Sequence, residues 1–359
     1  MSLGRSFIPL RSIPQSIPTS VHGRITVMTY NMLSPYYLWP QVYTYVPDEY
    51  KKWTYRHKLL EKEILTLYRA DIMCLQEMTS IDYQQYWRKV LREKFNYGSK
   101  YIAKPPPEYW KRSLSDMDGV SVFYDLNKFD YISSTGIYLN DLFGTFDLRE
   151  QDYLEHKMVQ LTDGSGNPTR KMSLSNVLKG RNQVCMFVSL RHKETNTFLI
   201  VVNTHLYWKY DEVKLTQCMI IMRRLSKIIK NLLIGVEDST YSKVKIIFAG
   251  DLNSDRDSLV IKFLKGDPIR HENLKLVNPM RPYLNRSLYD DIPDDAFVHT
   301  CFSGKLKGVF DYICYHCEDM APSQVLGLSK DLKQHSEMGL PNAAHPSDHI
   351  PMVMEFQVR

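Results

Sequence analysis

The chain has 359 residues, 43% of them hydrophobic and 12% aromatic, which is ample for a large globular core. Its 46 basic and 40 acidic side chains leave a formal charge of +6, compatible with a polyanionic partner and too mild to require one. No apolar run is long enough to span a bilayer, and the six cysteines form no disulfide framework, so an intracellular reducing compartment is expected.

From Met1 to Arg24 there are three arginines, five serines and no acidic residue, the composition of an organelle transit peptide. Pro9, Pro14 and Pro18 interrupt any amphipathic helix there. Residues 1–23 are read as a basic Ser/Pro-rich tail and residues 24–359 as a single domain. The expected location is mitochondrial, membrane-associated in one version, with the cytoplasm as the alternative.

Short β-like runs follow: "RITVMTY" (24–30), "ADIMCLQ" (70–76) and "GVSVFYD" (119–125). Between the first two, residues 50–69 place Leu59, Leu60, Ile64 and Leu67 at helical spacing. Residues 140–181 are polar and contain "DGSGNPT", predicting a helical stretch plus a long inserted loop. A hairpin is predicted over 182–206 with its turn near 193–197, then a strong amphipathic helix from Glu212. "KVKIIFAGDLNS" (243–254) and "GVFDYICY" (308–315) each supply a further strand, and "PSDHIPM" (346–352) leads into a last one. Cys314 and Cys317 form one C-x-x-C, but the second ligand pair of a structural zinc site is lacking.

Many of these strands end in an acid, amide or imidazole: Asn31, Glu77, His205, Asp251 and Asn253, with Asp311 inside its strand and Asp348 and His349 in the closing bend. Rigid strands that bring polar groups to one rim can hold a catalytic constellation. Taken singly, each has a plainer role as a turn residue, helix cap or solvated strand end. Asp311, flanked by Phe310 and Tyr312, needs a partner for its charge, and His349 is the candidate. Carboxylate and amide oxygens suit Mg²⁺, with Mn²⁺ as the alternative, and the chemistry that fits is metal-assisted hydrolysis of a phosphate ester.

"TYNMLS", "LQEM", "DGVSVFY", "NQV", "NTHL", "GDLNS", "FDYI" and "PSDH" occur in an order that resembles the endonuclease/exonuclease/phosphatase superfamily. "DEVKLTQ" (211–217) and "LKGVFDYI" look like its RNA-processing branch of deadenylases, Angel proteins and nocturnin, and the likeness is greatest to small fungal RNA exonucleases of the Ngl type. The resemblance implies a DNase-I-like α/β fold, a four-layer α/β/β/α sandwich. It implies metal binding by Asn31, Glu77 and Asp348, water activation by Asp251 and Asn253, phosphate contact by His205, and an Asp311–His349 dyad. Asn182 and Asn203 fall in matching motifs and are candidate substrate contacts.

Deadenylases of this branch are similar in holding adenine between a proline and a phenylalanine, where this chain has Tyr210 and Leu306, so strict poly(A) preference is not expected. Leucine-rich docking repeats are absent from the sequence. The aromatic and basic stretch "YIAKPPPEYWKRS" (101–113) has two readings: a proline-stiffened surface loop, or an RNA path with Lys104, Lys111 and Arg112 on phosphates and Tyr109 or Trp110 stacking. The expected activity is 3′-to-5′ hydrolysis of single-stranded RNA ends. The alternatives are a phosphoesterase for terminal phosphates (an RNA 2′,3′-cyclic phosphate or a dinucleotide phosphate) and a non-catalytic RNA-binding protein.

Overall fold

The computed structural model describes residues 5–10, 23–141, 144–232, 244–271, 274–282, 284–290, 292, 297, 299–304, 306–316, 320–329, 332 and 339–358. With strands numbered along the chain, one sheet runs β1 (Phe7–Pro9), β18 (Met320–Leu326), β19 (Met352–Val358), β2 (Gly23–Asn31), β3 (Ile72–Thr79), β5 (Asp118–Asp125), β4 (Tyr97–Ala103). The second runs β14 (Arg286–Ser287), β17 (Asp311–Tyr315), β11 (Val244–Asp251), β10 (Phe198–His205), β9 (Val184–His192), β6 (Phe129–Tyr138). Within these sheets β2 and β3 are parallel, as are β10 and β11, and the other pairs are antiparallel.

Strand alternation sorts the side chains into layers. Val27, Ile72, Cys74 and Val120 share one core with Val188, Ile200, Val202 and Ile246, where the sheets face each other. Met28, Tyr30, Met73 and Leu75 point the other way, onto Leu60, Ile64, Trp87 and Leu91. Those belong to α2 (Trp53–Glu61) and its π-helical continuation Lys62–Leu67, and to α4 (Arg88–Phe95) with the π-helical turn Tyr83–Trp87 before it. The short helices α1 (Asp48–Lys51) and α3 (Ser80–Asp82) precede them. Behind the second sheet lies α7 (Asp211–Leu232), whose Val213, Gln217, Cys218, Ile221, Leu225 and Ile229 recur at helical spacing and are buried. The result is the expected α/β/β/α sandwich.

Two expectations are corrected. Residues 140–181 are mostly regular: α5 (Leu148–His156), capped by Asp147 and Glu150, then a hairpin of β7 (Met158–Thr162) and β8 (Pro168–Ser173), then α6 (Leu174–Lys179). The polar "DGSGNPT" is the tip of that hairpin rather than a long loop, with Asp163 Oδ1 accepting the N–H groups of Ser165 and Asn167. The second concerns the amino-terminal tail, of which residues 5–10 are described and the remainder up to 22 lie outside the described residues. β1 pairs with β18, and the guanidinium of Arg5 donates to the carbonyls of Gly327, Leu326 and Pro351. This part of the tail completes the sheet edge.

Smaller hairpins join β12 (Ile269–His271) to β13 (Leu274–Leu276) and β15 (Cys301–Phe302) to β16 (Lys307–Gly308); α8 (Leu259–Leu264) packs beside α7. No helix among the described residues is long and apolar enough to cross a membrane. Cys314 is a buried free thiol, whereas Cys317, its C-x-x-C partner in sequence, lies outside the described residues.

Candidate active site

Sheet register builds half of the site. His205 pairs with Asp251 across β10 and β11, and Asp251 pairs with Asp311 across β11 and β17, so three chemically active residues stand in one row. The other sheet contributes Asn31 at the end of β2 and Glu77 near the end of β3. Asn31 Nδ2 spans the two, donating to Glu77 Oε1 and to Asp251 Oδ2 at 3.0 Å each.

Simple alternation would send Glu77 with Met73 and Leu75 to the helical face. A bulge between Gln76 and Met78, with Glu77 at φ 58°, turns it to the rim instead. Its Oε2 accepts Ser34 N–H at 2.8 Å. Leu33 (φ 52°) and Asn253 (φ 48°) are also left-handed, so three of the five non-glycine residues with positive φ among the described residues border the site. Such conformations persist only where surrounding contacts fix them. Asn253 is fixed by its Nδ2 on Leu206 O, its N–H on Asp251 Oδ1 and the buried Lys214 Nζ on its carbonyl.

The closing bend delivers the imidazole. His349 Nδ1 lies 2.8 Å from Asp311 Oδ2 and its Nε2 lies 3.5 Å from Asp251 Oδ2. Thr300 Oγ1 donates to the same Asp311 oxygen at 2.7 Å and accepts the N–H groups of Phe310 and Asp311. Ser347 Oγ donates to Asn31 O and accepts His349 N–H, tying the bend to β2. Burial alone would lower the His349 pKa, but Asp311, helped by Cys301, Asp251 and Asp348, carries it well above the ordinary value, so the ring is an imidazolium. His205 differs: burial, with Lys104 and His349 adding to it, pushes its pKa well down and leaves it neutral. It sits 3.8 Å from Glu77 Oε1 and 3.5 Å from Asp251 Oδ2.

Glu77, Asp118, Asp251, Asp311 and Asp348 are all buried. Among the described residues Lys104 pairs with Asp118, Arg56 acts on Asp348 and Glu77, and His349 pairs with Asp311, so the acids outnumber the basic partners that face them. Burial lifts the Glu77 carboxyl to about 7 and that of Asp251 to about 6, in each case against the pull of a nearby cation. Hard oxygen donors gathered in excess of their basic partners fit a divalent cation.

All eight candidate catalytic and metal residues therefore line one rim. Asn31 presents its amide nitrogen to the Glu77 and Asp251 carboxylates, while its Oδ1 accepts Leu33 N–H at 3.0 Å. Asp348 turns toward Tyr43, whose hydroxyl donates to its Oδ2 at 2.8 Å, and toward Cys301 Sγ at 3.9 Å.

The substrate-binding candidates fare less well. Asn203 is fully buried between the sheets, its Nδ2 donating to Leu75 O and Ser121 O and its Oδ1 accepting from Gln76, so it is a structural cross-brace and not a substrate contact. Asn182 donates to Pro105 O and joins two loops. The Tyr210 hydroxyl accepts Thr162 N–H, anchoring the β7–β8 hairpin. Leu306 is exposed beside β16. Lys104, offered as a phosphate contact, is buried and ion-paired to Asp118 at 2.6 Å, with its Nζ over the Tyr37 ring, and Arg112 and Trp110 pack on Tyr36. Tyr109 is 80% exposed. Sequence reasoning missed Thr300, Tyr43, Arg56 and the Lys104–Asp118 pair, whose roles depend on contacts between distant segments and leave no local signal.

Comparison with known proteins accords with this geometry. The pattern of the Endonuclease/Exonuclease/phosphatase family matches residues 28–349. The chain is 60% identical to RNA exonuclease NGL1 of Saccharomyces cerevisiae over 360 residues, covering 99% of both. It is 28% identical to the CCR4-Not complex 3'-5'-exoribonuclease subunit Ccr4 of Candida albicans, covering 93% of this chain and 41% of that protein. Among solved structures, ANGEL2, described as a 2',3'-cyclic phosphatase and bound to adenosine-2',3'-vanadate, superposes with a TM-score of 0.70 at 20% identity, over 99% of each chain.

Proposed function

The chain belongs to the endonuclease/exonuclease/phosphatase family, and from that premise we propose that it is a divalent-metal-dependent 3′-to-5′ RNA exonuclease that releases nucleoside 5′-monophosphates. The observation that carries the reading is the joined row His205–Asp251–Asp311, with His349 held against it and Glu77 facing it across the two sheets. The likeness to a named RNA exonuclease along the whole chain supports the same substrate.

When bound, the cation, Mg²⁺ in this reading with Mn²⁺ as the alternative, neutralises charge on the phosphoryl oxygens. Glu77 would hold it, with Asn31 fixing the Glu77 and Asp251 carboxylates in their relative positions. Asp251, ionised, takes a proton from the attacking water, and Asn253 beside it helps to orient that water. The His349 imidazolium, held by Asp311, donates to the phosphoryl oxygen on which charge develops. Neutral His205 offers one ring N–H to the same phosphate. The P–O3′ bond breaks, the water oxygen stays on phosphorus, the departing 3′-oxygen takes a proton from solvent, and Asp251 returns its proton to solvent.

Purified protein with Glu77→Ala or His349→Ala is expected to stay folded and lose RNA hydrolysis; substantial metal-dependent activity in both would overturn the assignment. A panel of 5′-labelled RNAs with different 3′ ends separates stepwise shortening from removal of a terminal or cyclic phosphate. The second outcome is the alternative reading, which the involvement of Tyr210 with Thr162 keeps open, since no proline clamp for adenine stands there. A mitochondrial location reached through the amino-terminal tail belongs to the proposal. Because Phe7–Pro9 form part of the sheet, processing is expected to leave them in place, which amino-terminal sequencing of protein from purified mitochondria would check.

A further inference from the structure

Beside the phosphate-facing row lies a second set of donors that shares only His349 with the hydrolytic machinery. Cys301 and His349 face each other as antiparallel bridge partners, which brings their side chains to the same side of the two segments. Phe302 N–H to Asp348 O and Ile350 N–H to Thr300 O hold that bridge at 2.8 and 3.0 Å. A thiol sulfur of Cys301, a carboxylate oxygen of Asp348 and a ring nitrogen of His349 lie within 4.8 Å of one another, all three residues buried. Asp348 is 5% exposed, and its Oδ1 is buried with no hydrogen-bond partner while Tyr43 occupies Oδ2. A buried carboxylate oxygen without a partner is costly unless something else meets it.

The chemistry of this set is unlike that of the Glu77 side. Thiolate, imidazole and one carboxylate are the donors that Zn²⁺ takes in tetrahedral sites, and three protein ligands leave the fourth position to water. The 3.9 Å from Cys301 Sγ to Asp348 Oδ2 closes to a ligand separation with a shift of a few tenths of an ångström. We propose that Cys301, Asp348 and His349 form an inhibitory site for a thiophilic divalent cation, Zn²⁺, that captures the catalytic imidazole. Binding releases the thiol proton and the imidazolium proton to solvent, forms the sulfur–zinc and nitrogen–zinc bonds, and removes His349 as a donor to the phosphoryl oxygen. Hard Mg²⁺ has little affinity for sulfur, so the two metals sort between the two donor sets.

Co²⁺ titrated into chelator-treated full-length protein reads the site without reference to activity. A near-ultraviolet thiolate-to-cobalt charge-transfer band with four-coordinate visible bands is expected, displaced by Zn²⁺ and lost in both Cys301→Ser and Cys301→Ala, with folding verified by circular dichroism. Absence of the band, or its persistence in a folded variant, overturns the site, since the other described cysteines are buried elsewhere in the core. In a second arm, Zn²⁺ is titrated into the RNA reaction at saturating Mg²⁺, each protein referred to its own zinc-free rate. Half-inhibition is expected to need about tenfold more Zn²⁺ or greater in the Cys301 variants; equal sensitivity overturns the inhibitory role. Failure of RNA hydrolysis itself would refute the proposed function and leave the cobalt result standing.

Discussion

Asp311 fixes the working face of His349. Its Oδ2 accepts from the imidazole and from Thr300 Oγ1, and the Tyr289 hydroxyl donates to its carbonyl, so the carboxylate has little freedom to rotate. Asp311→Asn removes the charge that keeps the ring protonated and replaces one carboxylate oxygen with an N–H donor. The rate of RNA hydrolysis at saturating Mg²⁺ is expected to fall by about 10²- to 10⁴-fold with the melting temperature little changed. Thr300→Val leaves the Asp311 charge and removes only the hydroxyl that steadies it, so a loss of about tenfold, confined to kcat, is expected. If Asp311→Asn left the rate unchanged while Asp348→Asn destroyed it, the dyad would have been assigned to the wrong acid. Asp311 was legible in sequence because a carboxylate between Phe310 and Tyr312 demands a partner; Thr300 was not, since a threonine eleven residues upstream says nothing about where its hydroxyl lands.

At the scale of elements, the amphipathic helix 211–232 was plain in the sequence because its hydrophobic period agrees with its geometry, and the hairpin 184–205 because two apolar runs flank a polar turn. The β7–β8 hairpin was hidden because exposed strands such as "PTRKMS" carry no apolar alternation. Glu77 was found as a strand end, yet the bulge that aims it breaks the two-residue period and could not be read from that period. How the separate elements are locked together was equally invisible. Arg56 of α2 is fully buried, donating from Nε to Pro346 O at 2.6 Å and from Nη2 to Met32 O and Leu33 O. It thereby fastens the bend carrying His349 to the exit of β2 carrying Asn31. Arg56→Met fills the space but strands these buried carbonyls, and is expected to lower stability by about 3 kcal/mol or more in urea unfolding. A change within about 0.5 kcal/mol would show that the two segments are held by other contacts.

For the whole molecule, the two sheets and the closing bend bring five buried carboxylates together with fewer basic partners among the described residues, and the fold carries that excess at a cost. Burial raises the Glu77 pKa from 4.5 to about 7, so the folded metal-free chain binds this proton more tightly than the unfolded one. Stability of the metal-free protein attributable to Glu77 is therefore present at low pH and lost as pH rises from about 4.5 through about 7. A divalent cation that takes the proton's place reverses the trend: it competes poorly with the proton at low pH and binds the ionised carboxylate freely above it. The rise in melting temperature produced by saturating Mg²⁺ is accordingly expected to be larger at about pH 8 than at about pH 5.5, and Glu77→Gln should flatten most of that difference. The remaining titrating groups act on the metal-free and metal-bound proteins alike unless they too face the cation, so the comparison isolates the Glu77 side of the site. A Mg²⁺ effect independent of pH, or one retained in Glu77→Gln, would place the cation elsewhere and return the uncompensated charge to the fold as simple strain.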